Sequence, residues 1–153
     1  MKSEILGNIY HLYRSYTIDL ILYVLLGCAV VATGIGVVKF RLADSRVKCI
    51  LILLTSCPCA VTLWVIQIIE LMPVYKDYKE SSYAILEDVT MTVTTESSGG
   101  LNPTIQVVVV DGKGKSYDLR AQFDYHLRFP HSYTGTVVYV KHSGYVVWYD
   151  VDL

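Results

Sequence analysis

The stretch LILYVLLGCAVVATGIGVV (20–38) decides the fold, because it runs for 19 residues without a charged side chain. A second uncharged run, of 21 residues, follows at 49–69. Each run reaches the roughly 20 residues that a helix needs to cross about 30 Å of hydrocarbon. The rest of the 153-residue chain is too short to bury two such helices in a soluble core. The sequence therefore predicts a two-helix transmembrane hairpin over 17–72, with spans at about 18–38 and 49–71.

The loop between the two spans predicts their orientation. KFRLADSRVK (39–48) carries four basic residues and one acidic residue. Positively charged residues in short loops stay on the cytoplasmic side. The loop is therefore expected inside and both termini outside, as in a multi-pass protein of the cell membrane. Residues 73–153 hold seven Lys and Arg against ten Asp and Glu. This acidic balance fits a translocated domain and leaves nucleic-acid binding without its electrostatic basis.

The first residues predict a short amphipathic helix, residues 1–16, at the membrane surface. Apolar and aromatic side chains recur there three and four positions apart: Ile5, Ile9, Leu12, Tyr13 and Tyr16. Tyrosines favour the depth of the lipid headgroups. The lipid bilayer is thus a predicted partner of this helix, which leads into the first span or is continuous with it. A plain helical extension without membrane contact is the alternative.

Small residues in both spans predict that the two helices pack closely. Cys28, Ala32 and Gly36 fall four apart in the first span, and the second offers Ser56 with Ala60, and Thr55 with Cys59, at the same spacing. Helices in lipid have no hydrophobic drive to associate, so such strips of small residues mediate their contact.

Three cysteines within the spans carry a second hypothesis, a thiol-dependent metal or redox site. Counted from the cytoplasmic ends of the spans, Cys28, Cys57 and Cys59 lie at about the same depth, roughly 12–15 Å. Soft thiolates at one level can hold Cu(I) or Zn(II). The structural interpretation is favoured, because thiolates are costly in lipid. In that interpretation Pro58 removes a hydrogen bond to the carbonyl of Leu54 and kinks the helix, and the cysteines are small apolar residues.

After the second span the pattern changes from helix to strand. Residues 73–83 begin with Pro, carry mixed charge and predict a juxtamembrane linker. Residues 84–153 predict an extracytoplasmic β domain of about five strands, with the clearest alternation from Tyr117 to Phe129. Connections as short as DGKGK (111–115) leave no room for crossover helices, so an all-antiparallel sandwich or barrel is expected. The predicted fold class is an α+β membrane protein.

Catalytic signatures are missing from this sequence. It contains no phosphate loop, no dinucleotide fingerprint and no nucleophile elbow. Asp124, His126 and Ser132 are close in sequence, but their spacing does not define a triad. His126, His131 and His142 have no defined set of companion ligands, so surface histidines are expected. The prediction is therefore a protein that is not an enzyme and that carries no cofactor.

One polar strand face predicts partner binding, with a solvated sheet face as the alternative. Its charged residues and histidine alternate with apolar ones: Asp118, Arg120, Asp124, His126 and Arg128. We expect a non-enzymatic, membrane-anchored interaction protein of a bacterial type that presents its β-rich domain outside the cytoplasm. Its partner would be another protein or a larger membrane complex, with the chain acting as an accessory subunit or immunity-type factor. The thiol-dependent metal or redox protein is the alternative, and a purely structural subunit is a third possibility.

Overall fold

The structure is a computed structural model that describes residues 1–39, 46–97, 104–122 and 131–152. Two long helices are followed by a five-strand sheet, which confirms the predicted α+β layout. The helices are α1 (Lys2–Lys39) and α2 (Arg46–Glu80). The strands are β1 (Tyr83–Ser97), β2 (Thr104–Val110), β3 (Ser116–Gln122), β4 (Ser132–Val140) and β5 (Tyr145–Val151).

The chain divides into two compact units, and each helix contributes residues to both. Arg14–Met72 forms a helical unit, whereas Met1–Tyr13 and Pro73–Leu153 together form a unit that contains the whole sheet. Both helices are long and apolar enough to span a membrane.

The predicted surface helix is not a separate element, because α1 runs without a break from Lys2. Three of the apolar side chains assigned to the membrane surface, Ile5, Ile9 and Leu12, are at most 4% exposed. Their face is therefore covered by protein rather than left for lipid.

In the helical unit, α1 and α2 pack antiparallel over glycines. The indole of Trp64 lies over Gly27, and its Nε1 donates a hydrogen bond to the carbonyl oxygen of Tyr23 at 3.3 Å. The side chain of Ser56 lies against Gly34. A Cβ at either glycine would meet the facing side chain, so the close approach of the helices depends on these two residues.

The small-residue strips are used only in part. Ser56 and Ala60 of the second span are buried, whereas Thr55 and Cys59, at the same spacing, are exposed. In the first span, Cys28 and Ala32 are exposed, and the contact is made by glycines on a neighbouring face of α1 instead. The bulky indole of Trp64 explains the difference, because it needs a facing residue that has no side chain.

The end of α2 differs from the predicted linker. The helix continues through Pro73 to Glu80, so most of 73–83 is helical. It ends in a Schellman motif, in which Ser81 has a positive φ of 49° and the N–H of Ser82 donates to the carbonyl of Asp77 at 3.1 Å. Because a serine takes the place usually held by glycine, the sequence carries no clear stop signal there.

The five strands form a closed sheet. Hydrogen-bonded neighbours follow the order β1-β2-β3-β5-β4, and β4 pairs again with β1. The expectation of an all-antiparallel domain is wrong in one place, because β3 and β5 pair in parallel through Arg120↔Tyr145 and Ala121↔Val146. The reason is parity: strands in a ring can alternate in direction only if their number is even, so five strands must include a parallel pair.

The sheet encloses one apolar core and is covered on part of its outside. The inward side chains come from all five strands and form a single buried cluster: Val89, Met91, Val93, Ile105, Val107, Val109, Leu119, Ala121, Tyr133, Val137 and Val146. Val138 and Val140 are also fully buried, although they lie outside this cluster. The same unit also buries Ile5, Ile9 and Val74 of the helix ends.

Candidate partner-binding surfaces

The predicted polar face lies on β3 in the described part of the chain. Asp118 and Arg120 are exposed, whereas the alternating Leu119 and Ala121 are buried in the core. The predicted alternation is therefore confirmed for this stretch. The remaining predicted residues of the face lie outside the described ranges: Asp124, His126 and Arg128.

Asp118 and Arg120 line an open groove of about 450 Å³ together with Thr94 and Gln106. The two charges are two residues apart on one strand face, which separates their Cα atoms by roughly 7 Å. Within the described residues, neither side chain belongs to an ion pair. Both charged side chains are thus open to a polar partner.

A second groove, of about 480 Å³, lies within the sheet unit between the first turns of α1 and the strand β5. Its polar and aromatic lining includes Glu4, Asn8, His11 and Trp148, and we call it the α1–β5 groove. The side-chain amide of Asn8 donates a hydrogen bond to the carbonyl oxygen of Val147 at 2.8 Å. This bond ties the beginning of the chain to the last strand.

A β-bulge at Val147 explains why that carbonyl needs a partner. Val146 and Trp148 pair with consecutive residues of β4, so Val147 is an extra residue in β5. A bulged residue is left out of the regular ladder. Asn8 therefore satisfies a carbonyl that the sheet leaves open.

The same bulge turns Trp148 to the outside of the sheet. Val146 belongs to the core cluster, and Tyr149 packs against it, so both lie on the inner face. In a strand without a bulge, residues two apart share a face, so Trp148 would lie inside with Val146. The bulge instead presents its half-buried indole to the α1–β5 groove.

A buried carboxylate joins α2 to the turn between β4 and β5. Asp77 is fully buried, and its two carboxylate oxygens accept hydrogen bonds from the backbone N–H groups of His142 at 2.9 Å and Ser143 at 2.8 Å. Beside it, Nε2 of His142 lies 3.1 Å from a carboxylate oxygen of Glu80. These contacts hold the turn against the last turns of α2.

The three cysteines of the metal hypothesis are not brought together. Cys28, Cys57 and Cys59 are all exposed and unpaired by disulfides. The helix is unbroken across Pro58, so Cys57 and Cys59, two residues apart, point about 200° away from each other. Across the described ranges, no three His, Cys, Asp or Glu side chains are close enough to hold a metal ion.

The interhelical register also separates Cys28 from the other two cysteines. The contacts of Trp64 with Gly27 and of Ser56 with Gly34 set which residues of α1 and α2 are level. At 1.5 Å per residue, this register offsets Cys28 by about 5 Å from the level of Cys59 and by about 8 Å from that of Cys57. The expectation of one common depth assumed that the inner ends of the spans were level.

The described histidines do not form a site either. His131 precedes β4 and contacts the ring of Tyr133, whereas His142 follows β4 and pairs with Glu80. The whole strand, roughly 30 Å, separates them. Ser132 shares a hydrogen bond of 2.9 Å with the hydroxyl of Thr92. The other members of the considered triad and histidine set, Asp124 and His126, lie outside the described residues.

No family model matches this chain, and no curated protein or solved structure matches it. A fold also does not imply a function. The function therefore rests on the chemistry of the chain's own residues.

Sequence reasoning missed Asn8, Asp77 and Trp148. Asp77 carries the one signal that was visible, an acidic residue among the apolar and aromatic residues of PVYKDY (73–78). Asn8 and Trp148 carried no signal, because their roles follow from a bulge and from a contact between residues 139 positions apart.

Proposed function

We propose that this chain is a non-enzymatic, membrane-anchored interaction protein of the cell membrane. Its helical unit crosses the bilayer as a hairpin, and its sheet, a small barrel, binds another protein outside the cytoplasm. In this role the chain is an accessory subunit or an immunity-type factor of a bacterial type.

Exposed apolar side chains on the helical unit carry the proposal. Only 11% of the residues in each apolar window are buried. A soluble protein rarely exposes a continuous apolar patch of this extent, because contact with water is unfavourable. Hydrocarbon is the environment that suits the exposed residues: Ile18, Ile21, Leu22, Val24, Leu25, Leu26, Val30, Ile35, Leu54, Val61, Val65, Ile66, Ile68, Ile69 and Met72.

A tyrosine cluster next to the apolar segments supports the same anchoring. The rings of Tyr13 and Tyr78 stack with centroids 4.6 Å apart, and Tyr10 and Tyr75 contact this pair. Tyr10, Tyr75 and Tyr78 are also more than a third exposed. Because tyrosine favours headgroup depth, the cluster suits the outer boundary of the bilayer.

Topology is tested by cysteine labelling in intact cells, in a variant whose four native cysteines are replaced by serine. A thiol placed at Lys113, in the exposed turn between β2 and β3, should react with a maleimide that cannot cross membranes. The matched thiol at Lys39, at the end of α1, should react only after permeabilisation. The reverse pattern, or labelling of both, contradicts the proposed orientation.

Partner binding is tested by purification of the full-length chain in mild detergent. A specific protein should co-purify with it and be lost when Asp118→Lys and Arg120→Glu reverse both charges of the β3 face. Lys113→Glu, in the nearby turn, is the matched charge control and should retain the partner. Retention by the double variant contradicts the assignment of this face, and robust turnover of a substrate contradicts the non-enzymatic role.

A further inference from the structure

The α1–β5 groove combines a carboxylate with an outward-facing indole. Glu4 and Trp148 both line it, and the amide of Asn8 is engaged by the carbonyl of Val147. Among the described residues that line the groove there is no lysine or arginine. Its volume of about 480 Å³ lies within the range of roughly 300–1,000 Å³ typical of ligand sites.

We infer that this groove binds a cationic side chain, arginine or lysine, of a protein partner. The inference rests on the proposed function and specifies the chemistry that the partner must bring. A carboxylate attracts the cation, and tryptophan offers the aromatic face on which a cation binds best. Arginine and tryptophan also recur among the residues that dominate protein interfaces.

The carboxylate of Glu4 is accessible to such a ligand. Its contact in this structure is the amino group of Met1 at 3.9 Å, with the two side chains 58% and 56% exposed. An ion pair this exposed contributes little free energy, so a better-placed cation displaces it. The contact also shows that a positive charge can reach this carboxylate from the solvent side.

Trp148 is held in a fixed position for this role. It pairs with Val138 of β4, and the bulge beside it is tied down by the bond from Asn8. A preformed aromatic surface costs less conformational entropy on binding than a mobile one. The groove is therefore built from a rigid strand on one side and from the first turn of α1 on the other.

The experiment follows the indole N–H signals of the full-length protein in detergent by NMR. The chain has two tryptophans, so a Trp148→Phe variant assigns the signal of Trp148, and the signal of Trp64 serves as an internal control. The probe is Nα-acetyl-arginine methylamide, and its matched neutral counterpart is Nα-acetyl-citrulline methylamide. The arginine probe should shift the signal of Trp148 saturably, and the citrulline probe should not.

Removal of the negative charge of Glu4 tests whether its carboxylate contributes to arginine binding. Glu4→Gln should weaken arginine binding by about 1.4-fold to fivefold, which is the range for one exposed charge pair. Glu87→Gln, an exposed glutamate on β1, is the matched control and should leave binding unchanged. Equal shifts with both probes, no saturable shift, or an unchanged affinity in Glu4→Gln would each overturn the inference.

The two proposals fail separately. If the double variant Glu4→Gln, Trp148→Phe still co-purifies the partner, the groove is not the partner site, and the inference is overturned while the proposed function stands. If no partner co-purifies with the unmodified chain, the proposed function fails whatever the groove binds.

Discussion

Replacement of Asp77 should loosen the sheet unit more than any exposed substitution. The side chain is fully buried, and each of its oxygens accepts one backbone N–H, from His142 and from Ser143. In Asp77→Ala both N–H groups lose their acceptor while the turn remains packed against α2. Buried donors without partners are costly, because folding has already removed them from water.

The magnitude follows from two charge-assisted hydrogen bonds. Each contributes about 1.5–3 kcal/mol, so the loss should be about 3–6 kcal/mol for Asp77→Ala. For a domain of this size, 3 kcal/mol corresponds to a fall in Tm on the order of 12–24 °C. Asp77→Asn should cost nearly as much, because its amide NH₂ would face a backbone N–H where an acceptor is needed.

Two measurements on the full-length protein in detergent test this reasoning. Thermal unfolding followed by the near-ultraviolet signal of the sheet unit gives the change in Tm, and amide hydrogen exchange of His142 and Ser143 reports the turn directly. Glu80→Gln is the matched control, since its exposed pair with His142 should contribute at most about 1 kcal/mol. A loss below about 1 kcal/mol in Asp77→Ala, or wild-type behaviour in Asp77→Asn, would refute the role of these bonds.

Three further predictions concern close contacts and acid stability. Gly27→Ala should displace the indole of Trp64 and weaken the packing of the two helices by about 1 kcal/mol. A shift of the indole N–H signal of Trp64 should report the loss of its hydrogen bond to α1. Gly135→Ala should lower the free energy of unfolding by about 2 kcal/mol or more, because φ is +154° and the new Cβ would meet the backbone of β5. Thermal unfolding measures this change. The backbone N–H of Lys115 donates to Asp111 and helps to hold the pKa of that carboxyl below its ordinary 3.8. The stabilisation that the ionised carboxylate of Asp111 gives to the folded sheet unit should therefore be complete above about pH 4 and be lost as the pH falls through the lower folded pKa. Asp111→Asn should remove this acid dependence of Tm.

Periodicity was enough to predict the elements and their faces. The uncharged runs became the two helices, and alternation placed Leu119 and Ala121 inside and Asp118 and Arg120 outside. These predictions succeed because the repeat of a helix or strand is a local property of the backbone. Whether the outward charges bind a partner is not a local property, and it stays a prediction.

Register and long-range contacts were not predictable in the same way. A pattern of small residues says which faces of a helix allow close approach, but Cys28 and Gly27 lie on adjacent faces, and only the position of Trp64 decides between them. The prediction that the three cysteines lie at one common depth was wrong for the same reason, because it depended on the register between the two helices. The burial of Asp77 depends on a turn 65 residues away, which no local pattern contains.

Closure of the sheet links the fold to the candidate groove. A ring of five strands must contain a parallel pair, and within the described residues that pair joins β3 to β5 at Arg120↔Tyr145 and Ala121↔Val146. The bulge at Val147 comes immediately after Val146, so the side chains of β5 change faces at this point. The side-chain amide of Asn8 in α1 donates a hydrogen bond to the carbonyl of Val147, and β5 presents Trp148 to the groove that Glu4 also lines. The half-buried indole therefore meets the groove next to the parallel pair that the odd number of strands requires. Deletion of Val147 would remove the carbonyl that Asn8 contacts and would place Trp148 directly after the inward Val146, so the indole should stay on the outer face and its N–H signal should still respond to the arginine probe. Loss of that response would contradict this account of the bulge.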